Sequence, residues 1–459
     1  MTPQAALENI WQLGGLSAEA LACATLTGVD PVMPSSFAVG MAAQTGIAAA
    51  ALAACEVGHV RGQPRQNVSV DMTHAALECT NWFSVDGRVP EVWDKFSGLY
   101  ACRDGWVRVH ANFRHHRDGA LRLLGLDPDT ATREQAEARM ADWQALAFED
   151  ASAKAALVVA ALRSFDEWDA HPQSAAVAAQ PLMHIEKIGD APPLKLPSVL
   201  ADERPLARLR VLDLTRILAG PVCGRALAAY GADVLLVNSP NLPNIEAIAE
   251  TSRGKLSTHV DLQTPVGQAT LDALVAQAQV FVQGYRPGAL ASLGQSAAEI
   301  AKKRPGIVCV SLSAYGEEGP WAGRRGFDSL VQTATGFNVA EMQAAGSATP
   351  KPLPMQILDC ATGHLMAFAT AAALVKQQQE GGSWHVRLSL ARTGHWLRHL
   401  GRIQNGFDVR FPDRKGFLET SPSGFGELTA IRHAASLSRT PALYLRPSSP
   451  PGTHAPAWP

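Results

Sequence analysis

Paired cysteines are what this sequence most plainly lacks. Its seven cysteines, at positions 23, 55, 79, 102, 223, 309 and 360, are odd in number and include no CxxC spacing. Neither a disulfide framework nor a zinc site is suggested, and a reducing, cytoplasmic setting fits best. An excess of charge is also missing. Forty Lys and Arg stand against 42 Asp and Glu, for a formal net charge of -2, so no global basic field recruits nucleic acid or a membrane surface. The N-terminus carries no basic region followed by an apolar run, which argues against a secretory signal. Gly220 and Gly224 are too few for a dinucleotide fingerprint, and NAD is not supported. The most apolar stretch, Phe37–Cys55, is about as long as a membrane span. It is mostly Ala with Gly, Gln44 and Thr45, and reads as a buried helix packed through small residues, so no transmembrane helix is expected.

What is present suits large buried cores: 459 residues, 47% of them hydrophobic and 18% charged. That length allows one large domain with a smaller one, or two of ordinary size. Residues 1 to about 85 read as helical, then alternate with period two over Gln66–Met72. Phe96–Cys102 and Trp106–His110 flank Arg103-Asp104-Gly105, and Asp-Gly between two alternating runs predicts a hairpin. Amphipathic helical patterns follow at 121–124 and from Arg133 to about Leu162. The Pro-rich stretch Gly189–Arg208 is the best linker candidate.

Beyond it the pattern changes. Arg210–Leu214, Asp233–Val237, Val280–Gln283 and Ile307–Leu312 are short apolar runs rich in β-branched residues, with helical patterns between them at 221–230, 266–276 and 297–303. Strands alternating with helices predict an α/β protein, a doubly wound parallel sheet with a second, smaller α+β domain. Pro221 suits a first helical turn, Gly231 a helix stop, and Ser296-Ala297-Ala298-Glu299 spells a capping box. The expected division is a small-domain-like region at 1–200, containing a degenerate half-repeat at 35–80, and a large domain at 201–459. Residues 405–435 read as mostly loop.

The half-repeat is visible by inspection. Thr45-Gly46, an Ala-rich helix and Val68–Met72 echo Thr362-Gly363, an Ala-rich helix and Val386–Leu390. In that alignment Ala42 stands where Asp359 stands, so only the second copy brings a carboxylate. Asp359 precedes the Ala-rich segment 361–375, where an acidic residue is either a helix cap or a reactive group held at a helix N-terminus.

From Arg210 onward a series of motifs becomes recognisable: Ala219-Gly220-Pro221, Gly231-Ala232-Asp233-Val234, Arg253-Gly254-Lys255-Leu256-Ser257, Tyr285-Arg286-Pro287-Gly288, Ser313-Ala314-Tyr315-Gly316, Gly326-Phe327-Asp328 and Asp359. Their order and spacing resemble the class III CoA-transferases (the CaiB/BaiF family) over about residues 208–400. Leu99–His110 and Phe165–Trp168 resemble the smaller domain of that family and the segment after it. Second-half material thus precedes the Rossmann-like half, the arrangement of a permuted or partly duplicated member.

The resemblance implies a nucleophilic Asp359 that attacks an acyl-CoA thioester, with acyl-CoA and a carboxylic acid as substrates and no permanently bound cofactor or metal. A carboxylate with a reference pKa of about 3.9 is ionised at neutral pH and needs no separate base. Arg253, Lys255 and Arg286 are the candidates for gripping CoA phosphates, and Ala219, Gly288, Gly326 and Phe327 are carried over with them as CoA-binding. The related alpha-methylacyl-CoA racemases place a His where Phe327 stands, because proton exchange at an α-carbon needs an acid or base on each face. Phe327 therefore favours transferase over racemase or isomerase. A catalytically silent CoA-binding subunit is the alternative outside catalysis. His395 and His399 have an i, i+4 spacing but no third ligand, and His110, His115 and His116 read as a polar surface. The Ala-rich face repeated on two helices makes a homodimer the expected assembly.

Overall fold

The computed structural model describes all 459 residues. The four apolar runs form strands Arg210–Leu214, Asp233–Asn238, Val280–Gln283 and Val308–Ser313, each flanked in sequence by the expected helices Ala219–Ala229, Pro265–Val275 and Ala297–Lys303. The Ser296–Glu299 capping box is present. Lys255–His259 and Ser383–Ser389 extend this parallel sheet, and His184–Gly189 closes one edge antiparallel to Ser383–Ser389. In spatial order the seven strands begin at residues 255, 233, 210, 280, 308, 383 and 184. The order reverses between Arg210–Leu214 and Val280–Gln283, so the crevice beyond their carboxyl ends is where a doubly wound sheet receives its ligand.

The half-repeat is a structural one. Val39–Val60 and Ile357–Glu380 are buried along nearly their whole length in one core. Both are long and apolar enough to cross a membrane, and both instead are enclosed by other elements. Small residues permit the close packing: a Cβ on Gly363 would lie 2.5 Å from the Ala219 carbonyl oxygen, so the long helix approaches helix Ala219–Ala229 backbone to backbone. Each long helix leads into a strand and a second helix, Val68–Asp71 with Met72–Glu78 and Ser383–Ser389 with Leu390–Leu400. Each of those strands has a parallel neighbour on one side and an antiparallel one on the other. The surface from which a homodimer was expected is thus consumed inside a single chain.

The smaller unit is the antiparallel sheet Gly98–Ala101, Trp106–Val109 and Val159–Ala161 with helices Arg114–Leu123, Arg133–Met140 and Ala145–Lys154, around its own core of Phe96, Val107, Leu121, Met140 and Phe148. The Asp-Gly hairpin forms as expected. The helical run expected to about Leu162 ends earlier: Val159–Ala161 pairs with Trp106–Val109, because the hairpin offers it an open edge. A division at residue 200 does not follow the cores, since Ala6 to Cys79 pack with the long helix Ile357–Glu380 and His184–Gly189 belongs to the large sheet. Residues 405–435 are not mostly loop. They contain a hairpin, Leu418–Ser423 with Gly426–Ile431, completed by Phe83–Val85. Pro422 obscured it, and such a residue is tolerated only where a strand has a free edge.

Candidate active site

Asp359 is the third residue of helix Ile357–Glu380. It is not the cap of that helix. Gln356 holds the N-cap position without a side-chain bond, and the Asp359 N–H donates to Asp328 Oδ2 at 2.9 Å. With the cap supplied from another helix, the Asp359 carboxyl is left without a hydrogen-bond partner and faces a cavity of about 330 Å3, to which it is 8% exposed. The first repeat has the same device, because Asp30 Oδ2 accepts the Met41 N–H at 2.9 Å. Met41 is the third residue of Val39–Val60, so counted from the cap it is Met41, one residue before Ala42, that occupies the position of Asp359. Either count leaves the first copy without a carboxylate.

Burial and the neighbouring Asp328 carboxylate push Asp359 well above the ordinary carboxylate range. Burial raises Asp328 to about 6, against the lowering effect of the Asp359 and Leu358 N–H groups and of Gln332, whose Nε2 donates to Oδ1 at 2.5 Å. Two carboxyls this close titrate as a pair. Asp328 has the donors and takes the negative charge first; Asp359, which has none, keeps the proton. Burial and the neighbouring Asp328 thus favour the protonated form of Asp359, against the expectation of a carboxylate ionised without assistance.

The cavity lies at the strand-order reversal. The turns after Arg210–Leu214 and Val280–Gln283 bring Arg216 and Arg286 to its wall, and Ala219 opens helix Ala219–Ala229 there. Ile217, a β-branched residue at φ 76°, is strained at this lip. Arg286 is exposed and makes no ion pair. Gly288, at φ 84°, turns the chain between Pro287 and Ala289, which both line the cavity. Gly326 is fixed by crowding, since a Cβ there would lie 2.7 Å from that of Ala314. Phe327 lines the cavity and stacks on His110, ring centroids 4.0 Å apart at 14°.

Arg253 and Lys255 lie elsewhere. They sit before and at the start of strand Lys255–His259 rather than after a strand, which is the wrong end for the ligand crevice. Arg253 is 3% exposed and pairs with Glu250 and Glu419; Lys255 is fully buried against Asp213 at 2.9 Å and the Pro221 carbonyl at 2.8 Å. Both charges are spent in the interior. Arg216 and Arg325 were missed, although Arg216 follows a strand at the reversal and Arg325 directly precedes Gly326-Phe327-Asp328. The histidines are also not a polar surface: His110 and His116 are buried, and His115 and His116 stand in the cavity wall. His395 and His399 are occupied by Arg392 and a backbone carbonyl.

The sequence profile of CoA-transferase family III matches residues 12–202 and 206–416. An acyl-CoA transferase of Gibberella moniliformis is 30% identical over 376 residues, 73% of this chain and 66% of that protein. A probable fatty acyl-CoA transferase of Mycobacterium tuberculosis is 32% identical over 219 residues, covering 43% and 55%, and a succinate–glutarate CoA-transferase of Agrobacterium fabrum 31% over 207 residues, covering 40% and 51%. The chain thus spans about half to two thirds of the length of these relatives. Among solved structures, a CaiB/BaiF family protein from Brucella suis is 25% identical with a TM-score of 0.39, covering 49% of this chain and 65% of its own. The two matched segments account for most of the sequence and for both copies of the repeat, and the chain belongs to CoA-transferase family III.

Proposed function

We propose that this protein moves CoA from an acyl-CoA thioester to a carboxylic acid through Asp359. One observation carries the reading: the only carboxyl group lining the cavity has its helix capped by a different aspartate, so its own oxygens are free to react. In the first step the ionised carboxylate attacks the thioester carbonyl, the C–S bond breaks, and a mixed anhydride and CoA thiolate result. The thiolate then attacks the Asp359 carbonyl, releasing the donor acid and leaving CoA on the enzyme as a thioester. An incoming acid carboxylate reverses the two steps and leaves as its own CoA thioester, so no atom is gained or lost. The N-terminus of helix Ile357–Glu380 favours the anionic intermediates.

Arg286 is the phosphate-gripping candidate that retains this role, since it is exposed, follows a strand at the reversal and has no carboxylate partner. Arg216 joins it; its guanidinium donates to the Pro243 carbonyl and lies 5.6 Å from the Phe113 ring, with no acid in contact. The racemase alternative gains His115 and His116 in the cavity wall but little chemistry, since burial, Arg325 and Arg216 lower His115 as well. Burial, His115 and the nearby arginines push His116 down to about 3, which makes it a weak base. Trapping of an activated Asp359 by hydroxylamine, absent in Asp359→Asn, tests the reading; thioester binding with no turnover favours the silent subunit. Names among the relatives point to fatty acyl groups and to dicarboxylates alike, and do not choose between them for this chain.

A further inference from the structure

A second cavity, of about 220 Å3, is separate from the one that Asp359 faces, and no residue lines both. It nevertheless touches the nucleophile helix. Pro354, just ahead of Ile357–Glu380, lines it, and so does Asn81, whose Nδ2 donates to Cys360 Sγ at 2.8 Å and to the Cys79 carbonyl at 3.2 Å. Cys360 directly follows Asp359, so the helix turn that carries the reactive carboxyl is held by a side chain of this second cavity. Asn81 makes the contact from the left-handed region, at φ 50°, which asparagine tolerates better than most residues. The walls are apolar and aromatic, with Trp82 inside and Val89 and Phe411, each 53% exposed, at the rim. No acidic residue lines the cavity, but one cation does. The Arg414 guanidinium lies 4.6 Å from the centre of the Trp82 ring and makes no ion pair and no hydrogen bond. Contact with a ring face leaves its N–H donors unused.

We propose that this cavity is a second ligand site, for a small aromatic carboxylate, whose occupancy is felt at Asp359 through Asn81 and Cys360. It goes beyond CoA transfer, since no step of that reaction uses it. Size, walls and charge select the ligand. An apolar cavity of about 150 Å3 takes a benzene ring, so 220 Å3 leaves room for a ring with a short carboxylate arm. Aromatic pairs gain more than the area they bury, which favours a ring beside Trp82 and Phe411 over an alkyl chain of equal volume. One guanidinium fork matches the two oxygens of a carboxylate. A neutral ligand would leave that fork unpaired, and a dianion would bring a charge for which the walls hold no second cation. A ligand against Pro354 and Asn81 bears on the turn that carries Asp359, and by linkage a ligand in the active cavity must then change the affinity of this one.

Calorimetric titration of the full chain with phenylacetate, with and without saturating CoA in the active cavity, tests the site without requiring turnover. One phenylacetate per chain should bind in either case. Its neutral twin, phenethyl alcohol, should bind about 10- to 150-fold more weakly, as expected for loss of a charge-assisted hydrogen bond. Arg414→Met should erase that preference, and Val89→Trp, at an exposed position, should fill the cavity and weaken both ligands. Phenylacetate should shift the affinity for CoA by the same factor by which CoA shifts the affinity for phenylacetate. Asn81→Gly suits the left-handed backbone and lacks the amide, so it should abolish that factor while phenylacetate still binds. Absence of binding overturns the site. So does binding that Arg414→Met leaves unchanged, or complete displacement by CoA, either of which would place phenylacetate in the active cavity. Independent affinities for the two ligands in the wild type overturn the link to Asp359. Absence of CoA transfer with every acid refutes the transferase reading instead and leaves these titrations as decisive as before.

Discussion

Asp328→Asn separates the electrostatic account of the site from a purely steric one. In the fold Asp328 holds its proton to about pH 6 against an ordinary 3.8, chiefly through burial. A shift of about two units corresponds to about 3 kcal/mol of preference for the protonated form. The folded state therefore binds more protons than the unfolded state across this window, and this group contributes a loss of stability as pH rises from about 4 to about 6. Asparagine does not titrate. Its oxygen can still accept the Asp359 N–H, but its amide group meets donors where a carboxylate oxygen accepted them, at a cost of about 1–3 kcal/mol. The variant should thus be less stable than wild type at pH 4.5 and as stable or more so at pH 8. Melting temperatures by calorimetry over that range, without ligand, provide the check. Activity supplies a second readout. Removal of the Asp328 charge makes Asp359 easier to ionise, so the acid limb of the acylation rate should move to lower pH. Parallel stability profiles together with an unmoved acid limb would refute the reasoning.

Three further outcomes follow from where the charges lie. Arg286→Ala should raise KM for the thioester by about 10- to 150-fold, the worth of a charge-assisted hydrogen bond, with an unchanged melting temperature because the side chain is exposed and has no partner. Lys255→Met should do the reverse. It strands Asp213 in the interior, a loss of about 3–5 kcal/mol, visible as a lower melting temperature, while the thioester KM of the folded fraction stays constant. Incubation of an α-protonated acyl-CoA in deuterium oxide should leave the α-carbon unlabelled by mass spectrometry; labelling at the rate of turnover would favour the racemase chemistry that Phe327 argues against.

The large sheet was legible because its strands are buried on both faces and therefore spell continuous apolar runs, as in Val280–Gln283 and Val308–Ser313. Capping residues such as Ser296 and Glu299 marked helix starts for a local reason that sequence carries directly. The hairpin at 418–431 was not legible, since its pairing partner Phe83–Val85 lies more than 300 residues away and Pro422 argues locally against a strand. Asp359 stood out by its position before a small-residue helix, but its role as cap or reactive group depended on Asp328, thirty-one residues earlier in the chain. Arg253 and Lys255 failed for a related reason. Their motif identifies a strand, while the end of the sheet to which a charge points, and the acid that meets it, are set by tertiary structure. His116 looked like surface because its helix is strongly polar, and only the packing of the smaller lobe against the sheet brings it to the cavity.

Covalent chemistry at Asp359 is the central claim, and intact-protein mass spectrometry after incubation with a panel of acyl-CoA thioesters and hydroxylamine addresses it most directly. The account predicts a hydroxamate that maps to Asp359 in the wild type, forms more readily as pH rises, and is absent in Asp359→Asn. A variant that still transfers CoA, or a wild type that turns over thioesters with no modification at Asp359, would contradict it.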